Sequence, residues 1–122
     1  MDYLGTHLLV ELYGCEADRA GDEKYIERVM KEAATDANAK VMGSLFHKFG
    51  ETGVAGVIIL TEGFYVIRSW GKEGYIGLDL YSSSETVDNE KALAFLVRKF
   101  GATKYSASEI KRGNKAEILG GQ

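Results

Sequence analysis

Between residues 40 and 81 the chain carries four apolar-rich stretches separated by gaps of two to four residues, and every gap contains glycine. The stretches are 40–49, 54–61, 64–70 and 75–81. The gaps are Gly50-Glu51-Thr52-Gly53, Glu62-Gly63 and Gly71-Lys72-Glu73-Gly74. Connections this short join antiparallel neighbours, because parallel strands need a crossover of about a dozen residues or more. The chain has no proline and 15 glycines, so glycine carries the turn-making.

The flanks supply one helix on each side. Residues 7–13 are rich in Leu and Val and read as a strand. Asp22 can cap a helix running to about residue 37, with Ile26, Val29, Met30 and Ala33 on one stripe and Lys24, Arg28 and Lys31 on the other side. After the Ser82–Ser84 run, a second helix over 88–100 places Leu93, Leu96, Val97 and Phe100 on one face, and Gly101 suits its C-terminal end. A short last strand is expected over 104–110. The order β-α-β-β-β-β-α-β predicts an α+β fold, a two-layer α/β sandwich with a mainly antiparallel sheet and both helices on one face. Residues 1–110 form the expected domain, followed by a loosely held polar tail, 111–122.

Composition narrows the function. At 122 residues, 45% apolar and 27% charged, the chain reads as one soluble globular domain. A net charge of -3 and a pI of about 5.4 argue against general nucleic-acid binding, which needs a basic surface. No apolar run is long enough for a bilayer, so no membrane association is expected. One cysteine, Cys15, forbids an intramolecular disulfide. With no leader-like N-terminus, the expected location is cytoplasmic.

Strand alternation assigns the sheet's faces. One is expected to carry Leu45, His47, Val54, Ile58, Leu60, Tyr65, Ile67, Ile76, Leu78 and Leu80 beneath the helices. The other mixes Phe46, Lys48, Ala55, Val57, Phe64, Val66, Arg68, Trp70, Tyr75, Asp79 and Tyr81, and no helix remains to cover it. A second copy, sheet against sheet, is the simplest cover. A bulge that breaks the parity is the alternative. Arg68 and Asp79 fall diagonally on adjacent strands of this face, as a cross-strand ion pair or as part of an anion site built on Arg68.

The stretch Gly43-Ser44-Leu45-Phe46-His47-Lys48-Phe49, then Gly53 to Ile59, Thr61-Glu62-Gly63 and Trp70 to Leu80, resembles the prokaryotic S-adenosylmethionine decarboxylases, as does the opening Leu4-Gly5-Thr6-His7-Leu8-Leu9. The resemblance runs from about residue 3 to 109 and rests on collinear order rather than on one motif. It implies a small α/β sandwich that pairs sheet to sheet into an α/β/β/α homodimer, and a place in polyamine (spermidine) synthesis. It also implies a pyruvoyl cofactor made by self-cleavage at a Glu-Ser bond: the serine hydroxyl attacks the preceding carbonyl, and elimination from the resulting ester leaves a ketone at the new N-terminus.

At the positions that matter, this sequence departs from that pattern. Glu62 is retained, but the serine position is Gly63, which has no β-carbon for either step. The processing histidine falls on Arg68, which stays protonated and cannot act as a base. The assisting serine falls on Ala55, the proton-donating cysteine on Ser83 and the ribose-holding glutamate on Lys72, with Glu73 one place later. The binding phenylalanine is kept as Phe49. The expectation is a non-processed proenzyme, a pseudoenzyme without intact catalytic residues and without cofactor. Its ligand-binding residues would be Phe49, Arg68, Trp70, Glu73 and Asp79, taking S-adenosylmethionine or a related molecule. An active paralogue is a further candidate partner.

Other readings stay beside this one. Thr61 could supply a displaced ketobutyryl group, though misplacement weighs heavily against it. His7 and His47 could hold a metal with Glu11 or Glu62, against a structural role favoured by the lack of ligand spacing. Cys15 reads as a packed thiol. A changed reaction using Arg68, Lys72, Glu73 and Asp79, and a purely oligomerising or structural protein, are the functional alternatives.

Overall fold

The computed structural model describes residues 2–120; Met1 of the expected domain and Gly121-Gln122 of the expected tail lie outside the described residues. The elements are β1 (Tyr3–Tyr13), α1 (Ala17–Ala20), α2 (Glu23–Asp36), β2 (Val41–Phe49), β3 (Gly53–Leu60), β4 (Gly63–Trp70), β5 (Tyr75–Ser82), α3 (Asn89–Phe100), β6 (Lys104–Asn114) and α4 (Lys115–Gly120). The strands form one antiparallel sheet in the order β2-β3-β4-β5-β1-β6. The meander β2 to β5 follows from its short turns, and the N-terminal strand lies between β5 and β6.

Both long helices start on aspartate caps. Asp22 Oδ1 accepts the backbone N–H groups of Lys24 and Tyr25, each at 3.1 Å, and Asp88 Oδ1 accepts that of Lys91 at 3.1 Å. Each helix buries its expected stripe: Ile26, Val29, Met30 and Ala33 of α2, and Leu93, Leu96 and Phe100 of α3, are buried, while Val97 is partly so. They cover Leu8, Val10, Leu12, Ile58, Tyr65, Ile67, Ile76, Leu78 and Leu80 of the sheet. One buried polar contact ties the layers: Tyr65 donates to Asn89 Oδ1 at 2.7 Å, and Asn89 Nδ2 donates to the Leu80 carbonyl at 3.3 Å.

Four expectations differ from the structure. In β2 the faces are reversed: Leu45 and His47 pair with Val57 and Ala55 on the uncovered face, and Phe46 and Lys48 lie with Gly56 and Val54 on the helix side. The cause is turn length. Gly53 already pairs with Phe49, so the turn holds three residues rather than four, and one residue flips the parity of the strand. The next hairpin turns on Thr61-Glu62, with Leu60 opposite Gly63, so Gly63 is the first residue of β4 rather than part of the turn. β6 continues through Asn114, where Lys111 and Arg112 pair with Thr6 and Gly5, so the residues expected to begin the tail are strand. The fourth is helical content: α1 and α4 are additional.

Candidate functional site

The uncovered face holds Leu9, Leu45, Ile59 and Trp70, all exposed, around a set of charged and aromatic side chains. Of the expected outward residues, Ala55, Val57, Phe64, Val66, Arg68, Trp70, Tyr75, Asp79 and Tyr81 are there, and β1 adds His7, Leu9, Glu11 and Tyr13. The residues singled out by resemblance fall into two groups at opposite ends of β4.

The first group surrounds the β3–β4 turn. The Glu62 carbonyl accepts two hydrogen bonds from Ser83, one from its backbone N–H at 2.7 Å and one from its hydroxyl at 3.0 Å. Gly63 is paired on both sides, with Leu60 and with Ser82. A β-carbon there would run into the Tyr81 carbonyl oxygen and come within 2.9 Å of Ser82 Cα. Glycine is present for this close approach and not for a turn conformation, since its φ is not positive.

The second group is built on Arg68, directly across from Ala55 and Gly77. Its guanidinium lies over the Phe49 ring at 4.3 Å from the centroid and near Trp70 at 5.6 Å. Phe49 meets Trp70 edge to face at 5.9 Å; it lies across Gly53, where a β-carbon would fall within 2.6 Å of its Cζ. Trp70 also packs on Tyr75, whose hydroxyl donates to Glu11 Oε1 at 2.6 Å. That hydrogen bond, with burial and the Glu11 charge, pushes the Tyr75 hydroxyl up to about 12. Lys72 and Glu73 are exposed on the adjoining turn, which is held to the β2–β3 turn by Gly71 N–H on the Thr52 carbonyl and Lys72 N–H on Thr52 Oγ1.

Asp79 does not take Arg68 as its partner. It accepts from His7 Nε2 at 3.0 Å, and His7 Nδ1 faces Arg112 Nη1 at 3.3 Å. An arginine can only donate, so Nδ1 accepts and the proton sits on Nε2, aimed at Asp79. Phe64 and Tyr81 flank the imidazole edge-on. The sequence places Arg112 in the tail and offers Glu11 only as a metal ligand; in the structure Arg112 faces His7 and Glu11 accepts from Tyr75. The suggested metal set is not assembled. His47 is on β2 and His7 on β1, four strand spacings apart, roughly 19 Å. Cys15 is buried, and burial pushes its thiol up to about 11.

The two groups do not meet within one chain. Gly63 and Arg68 are five residues apart on one strand, roughly 17 Å. Residues 6–113 match the family model for S-adenosylmethionine decarboxylase. The chain belongs to the S-adenosylmethionine decarboxylase family.

Similarity to individual members extends over almost the whole chain. The S-adenosylmethionine decarboxylase proenzyme of Carboxydothermus hydrogenoformans is 38% identical over 117 residues, covering 96% of this chain and 92% of that one. That of Pyrococcus abyssi is 40% identical over 113 residues, covering 93% and 81%. The crystal structure of the adenosylmethionine decarboxylase from Aquifex aeolicus superposes with a TM-score of 0.86 at 24% identity, covering 93% of each chain, and establishes the shared fold. No described helix is long and apolar enough to cross a membrane.

Proposed function

We propose that this chain is a member of the S-adenosylmethionine decarboxylase family that does not cleave itself and carries no pyruvoyl, and that it acts in polyamine metabolism by binding a ligand rather than by decarboxylation. The observation that carries this reading is Gly63. Pyruvoyl formation needs a hydroxyl on the β-carbon of the residue after Glu62, first as nucleophile and then as leaving group. Gly63 has no β-carbon, and the Tyr81-Ser82 backbone occupies the place where one would project. The residues present therefore do not fit the group.

The surroundings support the same reading. The two donors from Ser83 on the Glu62 carbonyl have the form of an oxyanion hole, which stabilises negative charge arising when that carbonyl is attacked. Here they have no attacking hydroxyl to serve. Arg68 cannot take up a proton, and Ala55 beside it has no polar group. What is left at that end is a cationic and aromatic surface.

The same reading includes a homodimer in which the uncovered faces meet, giving the α/β/β/α arrangement. Exposed Leu9, Leu45, Ile59 and Trp70 give this face an apolar content that water alone covers poorly. Intact-mass spectrometry of the purified chain tests the central claim: a single species of full mass is expected, and two fragments meeting at Glu62-Gly63 would sink it. Analytical ultracentrifugation tests pairing, with Leu45→Lys expected to shift dimer toward monomer.

A further inference from the structure

We infer that Arg68 anchors an oxyanion site on the uncovered face, which takes a carboxylate or phosphate carried on a short apolar body. The inference deepens the ligand-binding part of the proposed function and rests on it. It concerns which chemical class this face selects, a question separate from whether the chain cleaves.

Three observations carry it. The first is the state of Arg68 itself. The residue is exposed, and its guanidinium carbon lies 4.3 Å from the Phe49 centroid and 5.6 Å from that of Trp70. Among the described residues it makes no side-chain hydrogen bond and joins no ion pair. Its N–H donors are therefore not consumed by the fold, and a guanidinium with free donors can grip a carboxylate or phosphate in bidentate fashion.

The second is the state of the nearby acids. Glu11 accepts from Tyr75 at 2.6 Å, and Asp79 accepts from His7 at 3.0 Å, whose other nitrogen is held by Arg112. Glu11 and Asp79, which line one depression together with Arg68, thus each accept a donor from another strand, and neither pairs with Arg68. Arg68 has no such partner, so an arriving anion meets N–H donors that no hydrogen bond of the fold consumes.

The third is the shape beside the cation. An open depression of about 300 Å³ is lined by Leu45, Ala55, Val57 and Val66, with His47 and Arg68 as its polar members. Ala55 lies directly opposite Arg68 in the ladder, and its single methyl leaves the space next to the guanidinium unfilled. An oxyanion on Arg68 would direct an attached hydrocarbon into this apolar hollow. Face-to-face pairing of two chains would enclose the hollow and strengthen the charge interaction by excluding water.

Isothermal titration of the full chain with hexanoate, hexyl phosphate, hexanamide and hexylamine tests the assignment. Saturable binding of hexanoate or hexyl phosphate is expected, at least about tenfold tighter than the amide or the amine, and weakening as salt is raised. The stronger of the two anions identifies a carboxylate or a phosphate ligand. Arg68→Lys keeps the charge but loses the fork, and should weaken the anion about tenfold. Ala55→Leu should fill the hollow and weaken hexanoate while leaving the melting temperature within a few degrees. Equal affinity for hexanamide, or anion binding unchanged in Arg68→Lys, overturns the inference. So does failure of both anions to bind together with dissociation of a dimer in Arg68→Gln, which would assign Arg68 to a partner chain instead. Because intact mass reports cleavage independently, a failed titration and a failed pseudoenzyme reading are told apart.

Discussion

Replacing Gly63 with serine puts back the hydroxyl that pyruvoyl chemistry requires, and the structure predicts that it lowers stability without producing cleavage. The new β-carbon would collide with the Tyr81 carbonyl oxygen and sit 2.9 Å from Ser82 Cα, both backbone atoms of the neighbouring strand. Neither can rotate away, so the end of β5 must move. Overpacking that forces a backbone shift costs about 1–3 kcal/mol. The site is at a hairpin end, where strands yield, so the lower half of that range is expected. For a domain of 122 residues the unfolding entropy is about 0.26 kcal/mol/K, so each kcal/mol lowers the melting temperature by about 4 °C. Gly63→Ser should therefore melt about 4–8 °C below the parent by circular dichroism. Intact mass should still show one species. Arg68 and Ala55 lie roughly 17 Å along the sheet and supply neither a base nor a hydroxyl, and the moved Tyr81-Ser82 backbone carries Ser83 away from the Glu62 carbonyl. An unchanged melting temperature would refute the packing argument. Appearance of two fragments with a blocked, carbonyl-bearing new terminus would refute the chemical one.

Tyr65→Phe removes a buried hydroxyl and leaves Asn89 Oδ1 without its donor, at a cost of about 1–3 kcal/mol, read as a lower denaturation midpoint with unchanged slope. Ultraviolet titration should show Tyr75 ionising near 12, above the usual value of 10, and Glu11→Gln should bring it down, since the Glu11 hydrogen bond is the largest cause of the shift. The folded chain holds that proton more tightly than the unfolded one. Its contribution to stability is therefore complete below about pH 10 and is lost as pH rises toward 12, in wild type more than in Glu11→Gln. Cys15, with its thiol raised to about 11, should be alkylated by iodoacetamide at pH 8 far more slowly in the native chain than in urea; equal rates would contradict its burial.

The helices and the meander were legible because their signals are local. Asp22 and Asp88 cap where a helix must begin, and the stripe from Ile26 to Ala33 repeats at the helical period. Face assignment in β3, β4 and β5 followed from alternation alone. It failed in β2 because alternation states which residues share a face but not which face that is, and the answer hung on whether Gly53 belongs to the turn or to the strand. The extra length of β6 left little trace, since Ser106, Ser108, Lys111 and Arg112 lack the apolar alternation of a strand buried on one side; pairing with β1 makes it one. The site was legible as a set of positions but not as partnerships. Placing Arg68 and Asp79 on one face was right, yet their partners, Phe49 for one and His7 for the other, come from strands distant in sequence, and no short-range pattern announces them.

The place of β1 in the sheet sets a timetable for the chain's birth on the ribosome. The first strand made is flanked by β5 and β6, with Leu12 against Ile76, 64 positions later, and Tyr3 against Asn114, 111 positions later. The meander, by contrast, zips between neighbours as it emerges. β1 must therefore wait as an unpaired apolar segment until more than half the chain has been synthesised, and β6, the outer strand, cannot settle before β1 has done so. A nascent chain paused before β5 offers its Leu- and Val-rich first strand to whatever meets it, which makes that interval the point at which a chaperone, or a second nascent copy, would catch it.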